Sequence, residues 1–245
     1  MNSQVDMFDY FANLADMDIS HTEKVGRYAN EKSREKNIFQ DIVIKLELKN
    51  KESILDIGCG CGTVVFDLIH YISTRPDVHV VLNDSNKVLS QIDNELIIAK
   101  NIKFIPGRFS DIKIQKDKKF DAIILYSVIH YISKNEIYNF IDLILERLEY
   151  HGLFLIGDIP NINKRKRFNN SQFGKEYNEK KSQNRTSCFI SKNYPSMDLS
   201  FFNDKLIFNI IKYIRNKDGF NAYLLPQSEK LPFSYIRDDI LIEKI

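Results

Sequence analysis

Two kinds of hydrophobic pattern alternate along the chain. Short runs of consecutive apolar residues stand at Ser53–Ile57, Val78–Leu82, Ile102–Ile105, Phe120–Tyr126 and Leu153–Asp158. Between them, apolar residues recur every three or four positions over Val64–Ile72, Asn86–Ala99 and Asn135–Leu148. A strand buried on both faces needs apolar side chains at successive positions, whereas a helix lying on a sheet needs them at a period of 3.6. Strands of this kind alternating with such helices predict a parallel sheet covered on both faces, wound in two directions by right-handed crossovers.

The flanks read differently. Met7, Phe8, Tyr10, Phe11 and Leu14 recur at helical spacing, and a second helix is predicted from about Ser33 to Leu48, with Ile38, Ile42, Val43 and Leu46 on one face. Residues 161 to about 200 lose all periodicity and are rich in Asn, Lys, Ser and Arg, so a loop or lid is expected there. A helix over Phe202–Asn216 and two closing strands, Phe220–Leu225 and Tyr235–Glu243, joined by a proline-containing hairpin, complete the chain. The expected fold class is α/β: a doubly wound, mostly parallel, seven-stranded Rossmann-like sheet with helices on both faces, an N-terminal helical cap and a C-terminal antiparallel hairpin. The expected organisation is a single domain over 1–245, with a cap at 1–50, a core at 51–160, a lid or loop insertion at 161–200, and the final helix and strands at 201–245.

Composition narrows the partners. A chain of 245 residues that is 43% apolar can bury one sizeable core. A net charge of +2 is too small for a dedicated binder of a large polyanion, and leaves room for a small anionic substrate. Cys59 and Cys61 sit in a glycine turn and Cys188 lies far away. An odd, unframed set fits a reducing compartment, and Cys59-Gly60-Cys61 lacks the spacing and second pair of a zinc site, so no metal is expected. The first residues lack a basic stretch followed by an apolar run, and no apolar stretch is of membrane-spanning length. A cytoplasmic protein is therefore expected, with its oligomeric state open.

The candidate chemistry starts after the first strand. Gly58, Gly60 and Gly62 follow Leu55-Asp56-Ile57 and precede a helix. Glycine lets backbone approach a ligand closely, and the free N–H groups of the following helix meet polar ligand atoms. A dinucleotide fingerprint would space its third glycine for helix packing; here the spacing is strictly alternating, with an acid before the first glycine. The run Leu55-Asp56-Ile57-Gly58-Cys59-Gly60-Cys61-Gly62 closely resembles the nucleotide-binding motif of class I S-adenosylmethionine-dependent methyltransferases.

That resemblance implies S-adenosylmethionine as cofactor and a set of roles. The backbone of Gly58, Cys59 and Gly60 would pass the methionine part, and Asp56 would orient the loop or, through water, the cofactor ammonium. After the second strand an acid would grip the ribose diol; register relative to Ser85 favours Asn83, and chemistry favours Asp84. After the third strand Asp111 would accept from the adenine amino group, with Phe109 or the Ser110 backbone beside the ring; a solvated loop acid is the alternative. At the end of the fourth strand Tyr126 and Ser127 would line the cofactor, while His130 and Tyr131 would face the acceptor. His130 would serve as the base or else as a packing histidine. Arg27 and Tyr28, ahead of the core, would reach the cofactor carboxylate.

Asp158 and Asn161, at the carboxyl end of the fifth strand, are acceptor-site candidates. The stretch from Gly157 through Phe168 also resembles, less specifically, methyltransferases of bacterial surface-polysaccharide pathways. In Lys164-Arg165-Lys166-Arg167, Arg165 and Arg167 would clamp phosphate, against the alternative of a solvated face. The leading function is methyl transfer to a hydroxyl or amine of a small molecule, such as a sugar or nucleotide-linked sugar. An RNA methyltransferase is the alternative, disfavoured by near-neutral charge. So is a non-catalytic protein that kept the fold. The fourth strand ends Tyr126-Ser127-Val128-Ile129, without the Asn/Asp-Pro-Pro-aromatic signature of adenine-amino methyltransferases.

Overall fold

The computed structural model describes residues 6–27, 32–92, 101–112, 117–183 and 201–245. The cap comprises α1 (Met7–Ala15), α2 (His21–Lys24), α3 (Lys32–Glu35) and α4 (Ile38–Lys45). The core follows as β1 (Ser53–Ile57), α5 (Thr63–Ser73), β2 (His79–Asp84), α6 (Asn86–Leu89), β3 (Ile102–Pro106), β4 (Phe120–Tyr126), α7 (Ile137–Leu145) and β5 (Leu148–Pro160). Then come α8 (Ile162–Asn170), α9 (Gln172–Gln183), α10 (Asp204–Arg215), β6 (Phe220–Leu225) and β7 (Arg237–Lys244).

The seven strands form one sheet in the order β3-β2-β1-β4-β5-β7-β6. The first five run parallel, and β7 is antiparallel to both β5 and β6. The order reverses at β1, so the crevice at the carboxyl ends of β1 and β4 is the topological switch point where such sheets bind ligands.

Successive residues of each strand feed opposite cores, as the period of two requires. Leu55, Ile57, Ile123, Leu125, Phe154 and Ile156 pack with Ile137, Ile141 and Ile144 of α7 and Ile207, Ile210 and Ile214 of α10. Ile54, Val80, Leu82, Ala122, Ile124 and Leu155 pack on the other face with Ile38 and Ile42 of α4 and Val65, Leu68 and Ile72 of α5. Burial on both faces is why the strands read as unbroken apolar runs.

Three expectations change. The loop expected from residue 161 is helical over its described part, as α8 and α9. Asn161 caps α8, its side-chain oxygen accepting from the N–H groups of Asn163 (2.9 Å) and Lys164 (3.1 Å). No residue of α8 is buried, so the helix carries no apolar stripe to read. The helix expected over Ser33–Leu48 is two, α3 and α4, separated at Lys36-Asn37. The helix expected to run to Leu148 stops at Leu145, because Leu148 already pairs with Phe120 as the start of β5. The second half of the helix expected over Asn86–Ala99 lies outside the described residues. No helix among the described residues is long and apolar enough to cross a membrane.

Candidate functional site

A cavity of about 580 Å³ opens at the carboxyl ends of β1, β2 and β4. Its floor is the glycine loop between β1 and α5. Gly58 and Gly60 have φ of +68° and +63°, the left-handed region that residues with a Cβ avoid. The turn is pinned by the Asn83 carbonyl, which accepts from the N–H groups of Gly58 (2.8 Å) and Cys59 (3.1 Å). Space is also tight. A Cβ at Gly58 would lie 2.6 Å from Val128 Cγ2, and one at Gly60 or Gly62 would lie 2.9 Å from a methyl of Val25. The loop is thus held between the end of β4 and the cap.

The cap forms the roof. Met7, Phe8 and Phe11 of α1, Lys24 at the end of α2, and Val25 and Arg27 beyond it line the cavity. The His21 ring N–H (Nδ1) donates to the Cys61 carbonyl at 2.8 Å, and Lys24 Nζ donates to Gln91 Oε1 at 2.8 Å. At the far rim Arg108 Nη2 meets Asp6 Oδ2 at 2.7 Å, and its guanidinium lies over the Phe8 ring. The N-terminal helix expected as a cap does lie over the cavity, with Met7, Phe8 and Phe11 on it and Leu14 and Ala15 buried beside it.

Two carboxylates, the buried Asp56 and the half-buried Asp84, stand beside the loop. Burial, and then the charge of Asp84, raises the Asp56 carboxyl to about 8. Asp84 accepts from the N–H groups of Gly60 (Oδ2, 2.9 Å) and Ser85 (Oδ1, 2.7 Å). Burial pushes its pKa up and these two bonds pull it down, with burial the larger effect. Asn83 also lines the cavity, but its amide nitrogen is used on the carbonyls of Ile105 (2.9 Å) and Gly107 (2.8 Å), which anchors the turn after β3. Ser85 does not reach the wall: its hydroxyl caps α6, accepting from Val88 N–H at 3.2 Å. Burial pushes the Cys59 thiol well up and the Cys61 thiol to about 11, so both pack as neutral thiols. Among the described residues no group of three or more His, Cys, Asp or Glu is arranged to hold a metal.

Phe109, Ser110 and Asp111 line the wall after β3, where the Phe109 ring meets Phe140 edge-on at 5.9 Å. Opposite, Tyr126, Ser127, Val128 and Tyr131 line the end of β4. Here the backbone is strained. Ser127 and Asp158, on neighbouring strand ends, both have φ of +59°. At Asp158 the pairing of β5 with β7 also slips, between Ile156 and Ile159. These distortions bring Ser127 Oγ to donate to Asp158 Oδ2 at 2.6 Å, while Arg27 Nη2 donates to Ser127 Oγ at 3.2 Å. Strain of this kind persists only where surrounding contacts over-determine it, and it clusters at functional sites.

The remaining expected residues lie elsewhere. His130 is buried and does not line the cavity, and its Nδ1 has no hydrogen-bond partner. Burial, then the charges of Arg237 and Arg27, hold its pKa well below the usual imidazole value. Asp158 sits one hydrogen bond behind Ser127, its Oδ1 3.6 Å from Arg237 Nε. Asn161 is tied into the fold, donating to Asp204 and Asp238 at 2.7 Å each. In the cationic run Lys164 pairs with Asp238 (2.8 Å) and Arg167 with Asp204 (2.6 Å), while Arg165 is exposed. Tyr28 lies outside the described residues.

A glycine cradle at the switch point, carboxylates behind it and a cap above define a Rossmann-like protein that holds an adenosine-type cofactor. The profile of the methyltransferase-domain family matches residues 48–217. The chain belongs to that family. No curated protein matches it. Among solved structures, it is similar to the plantazolicin methyltransferase BpumL in complex with SAH. That match has 14% identity and a TM-score of 0.61, covering 97% of this chain and 96% of that one. N-methyltransferase NodS from Bradyrhizobium japonicum, in complex with S-adenosyl-L-homocysteine, matches at 10% identity and a TM-score of 0.58, covering 98% of each chain. The methyltransferase domain of bacterial CtHen1 matches at 16% identity and a TM-score of 0.58, covering 86% of this chain and 98% of that one. With the family match and the motif together, the enzyme is an S-adenosylmethionine-dependent methyltransferase.

Proposed function

We propose that the chain methylates a hydroxyl or amine of a small acceptor, and that a sugar or nucleotide-linked sugar of bacterial surface-polysaccharide synthesis is the first acceptor class to test. The observation that carries the small-acceptor reading is the roof: α1 and Val25 cover the cavity, whose volume suits a cofactor and a modest acceptor. A long polyanion would have to displace that roof. The cationic run lends RNA little support, because Lys164 and Arg167 are already neutralised by Asp238 and Asp204. Relatives in fold point the same way. BpumL is crystallised with desmethylPZN analogs, and NodS is an N-methyltransferase, which puts nitrogen beside oxygen as the acceptor atom.

In this reading Gly58, Cys59 and Gly60 present backbone to the cofactor's methionine part, with Asp56 behind them. Asp84 or Asn83 holds the ribose, and Phe109, Ser110 and Asp111 meet the adenine. Arg27 faces the carboxylate, and Tyr126 and Ser127 line the methionine end. The bound sulfonium supplies an already activated methyl, so alignment is the larger part of the catalytic task. The chain's own work is to set the acceptor beside Ser127 and Tyr131, and to take a proton where the acceptor carries one. Where the acceptor carries a proton, Ser127 Oγ would take it while passing its own proton to Asp158 Oδ2. His130 would have to leave its buried position to take that part.

Release of S-adenosylhomocysteine, followed with nucleotide sugars, amino sugars, short peptides and an RNA oligonucleotide as acceptors, tests this. Turnover on a sugar supports the full proposal. Turnover on peptides alone moves the acceptor class, and turnover on RNA alone overturns the reading.

A further inference from the structure

Glu35 is a fully buried charge beside the cavity-lining Arg27. Its side chain has no exposed surface. A buried carboxylate costs several kcal/mol unless charge and hydrogen bonds compensate it. The groups that compensate Glu35 come from two separate pieces of the protein, α2 with the turn after it and the start of α5. Thr22 Oγ1 on α2 donates to Oε2 at 3.0 Å. Thr63 Oγ1, the first residue of α5 after the glycine loop, donates to the same oxygen at 3.5 Å. Arg27 Nη1 stands 3.6 Å from Oε1, as an ion pair without a hydrogen bond, and Oε1 has no hydrogen-bond partner among the described residues.

Arg27 is therefore held from two sides. Its Nη1 faces Glu35 in the cap, and its Nη2 reaches Ser127 Oγ on the cavity wall. It lines the cavity, and its side chain is only 12% exposed. A buried guanidinium needs a counter-charge, and Glu35 supplies it from behind while leaving the front of the group to the cavity. Two other ion pairs between roof and body, Arg108–Asp6 and Lys87–Asp16, are open to solvent and contribute little.

We propose that Glu35 is a positioning residue. By holding Arg27 between α2, the start of α5 and Ser127, it sets the guanidinium for binding the cofactor carboxylate. The inference rests on the reading above that Arg27 faces the cofactor carboxylate. It also fixes a sign. If Glu35 acted only as a nearby negative charge, neutralising it would strengthen binding of a carboxylate. If it positions Arg27, neutralising it weakens binding, because a glutamine amide cannot hold a guanidinium in place.

Isothermal titration with S-adenosylmethionine and S-adenosylhomocysteine tests this on four full-length proteins: wild type, Glu35→Gln, Arg27→Gln and the double variant. Glu35→Gln is expected to raise Kd at least tenfold on its own and less than twofold when Arg27 is already Gln. Glu35→Asp, which keeps the charge, is expected to recover part of the loss. Tighter or unchanged binding by Glu35→Gln overturns the proposal, and so does a loss of the same size with and without Arg27, which marks a merely structural residue. If Glu35→Gln does not fold, Thr22→Val takes its place. It should raise Kd about threefold by way of Arg27, and the absence of that effect overturns the proposal. A wild-type protein that binds neither ligand removes the cavity reading itself, a result distinct from additive variants of a protein that binds.

Discussion

Gly58→Ala perturbs one backbone position for two separable reasons. The residue sits at φ +68°, and an L side chain in that left-handed region costs roughly 1–2 kcal/mol. The added methyl would also stand 2.6 Å from Val128 Cγ2, well inside van der Waals contact. Val128 is β-branched and stiff, and it lines the cavity, so it relieves the clash only by leaving its rotamer or moving the turn after β4. Overpacking of this kind costs about 1–3 kcal/mol. The expected total is about 2–5 kcal/mol of stability, with weakened cofactor binding because Gly58 and Val128 both line the cavity.

Urea denaturation of wild type, Gly58→Ala, Val128→Ala and the double variant separates the two contributions. Removing the Val128 methyls should return the steric part, about 1–3 kcal/mol, as an interaction energy in the cycle, and leave the dihedral part. A Gly58→Ala protein within about 0.5 kcal/mol of wild type would refute the reasoning, since surface-like tolerance has that size. So would a cycle with no interaction energy, because Val128 would then not be the obstacle.

Other expectations follow from the buried charges. Asp56 titrates near 8 when folded and in the ordinary carboxylate range when unfolded, so between about pH 4 and 8 the native state holds a proton that the unfolded chain has lost. Stability should therefore fall as pH rises through that window. Asp56→Asn should flatten the fall, with a gain over wild type of the order of a few kcal/mol by pH 8, read by denaturation at pH 5 and 8. Lys45 Nζ lies 2.5 Å from Asp239 Oδ2, whose side chain has no exposed surface. Lys45→Met strands that carboxylate and should cost about 3–5 kcal/mol in thermal or urea unfolding. His130→Ala should leave the shape of the kcat/KM profile around neutral pH unchanged, because burial and two arginines hold the imidazole pKa well below its usual value. A loss of about 100-fold or more in kcat would return His130 to the role of base.

Much of the fold was legible because it rests on local rules. Strands buried on both faces must be apolar at every position, and helices between them must be apolar at 3.6 spacing, so β1, β2, β4 and β5 stood out. Gly58, Gly60 and Gly62 were legible for a similar reason, since an alternating glycine run between strand and helix has few structural uses. α8 and α9 were not, because they bury almost nothing and so carry no stripe. Glu35, Lys24 and Val25 were missed because a charge or a valine on a short cap helix looks the same in sequence whether it meets solvent or a cavity.

Residue order alone determined the alternating α/β layout and the glycine turn, because each depends on neighbours within a few positions; the kind of cofactor came from the resemblance of that motif to class I methyltransferases. The tertiary structure decided what depends on separation in space. It placed the cap over the glycine loop, buried Asp56 beside Asp84, and set Ser127 between Arg27 and Asp158. It also turned His130 into the interior and committed Asn161 and Arg167 to partners more than 35 residues away. Burial and distance set the charge state and reach of those groups, and neither is written in the spacing of the residues along the chain.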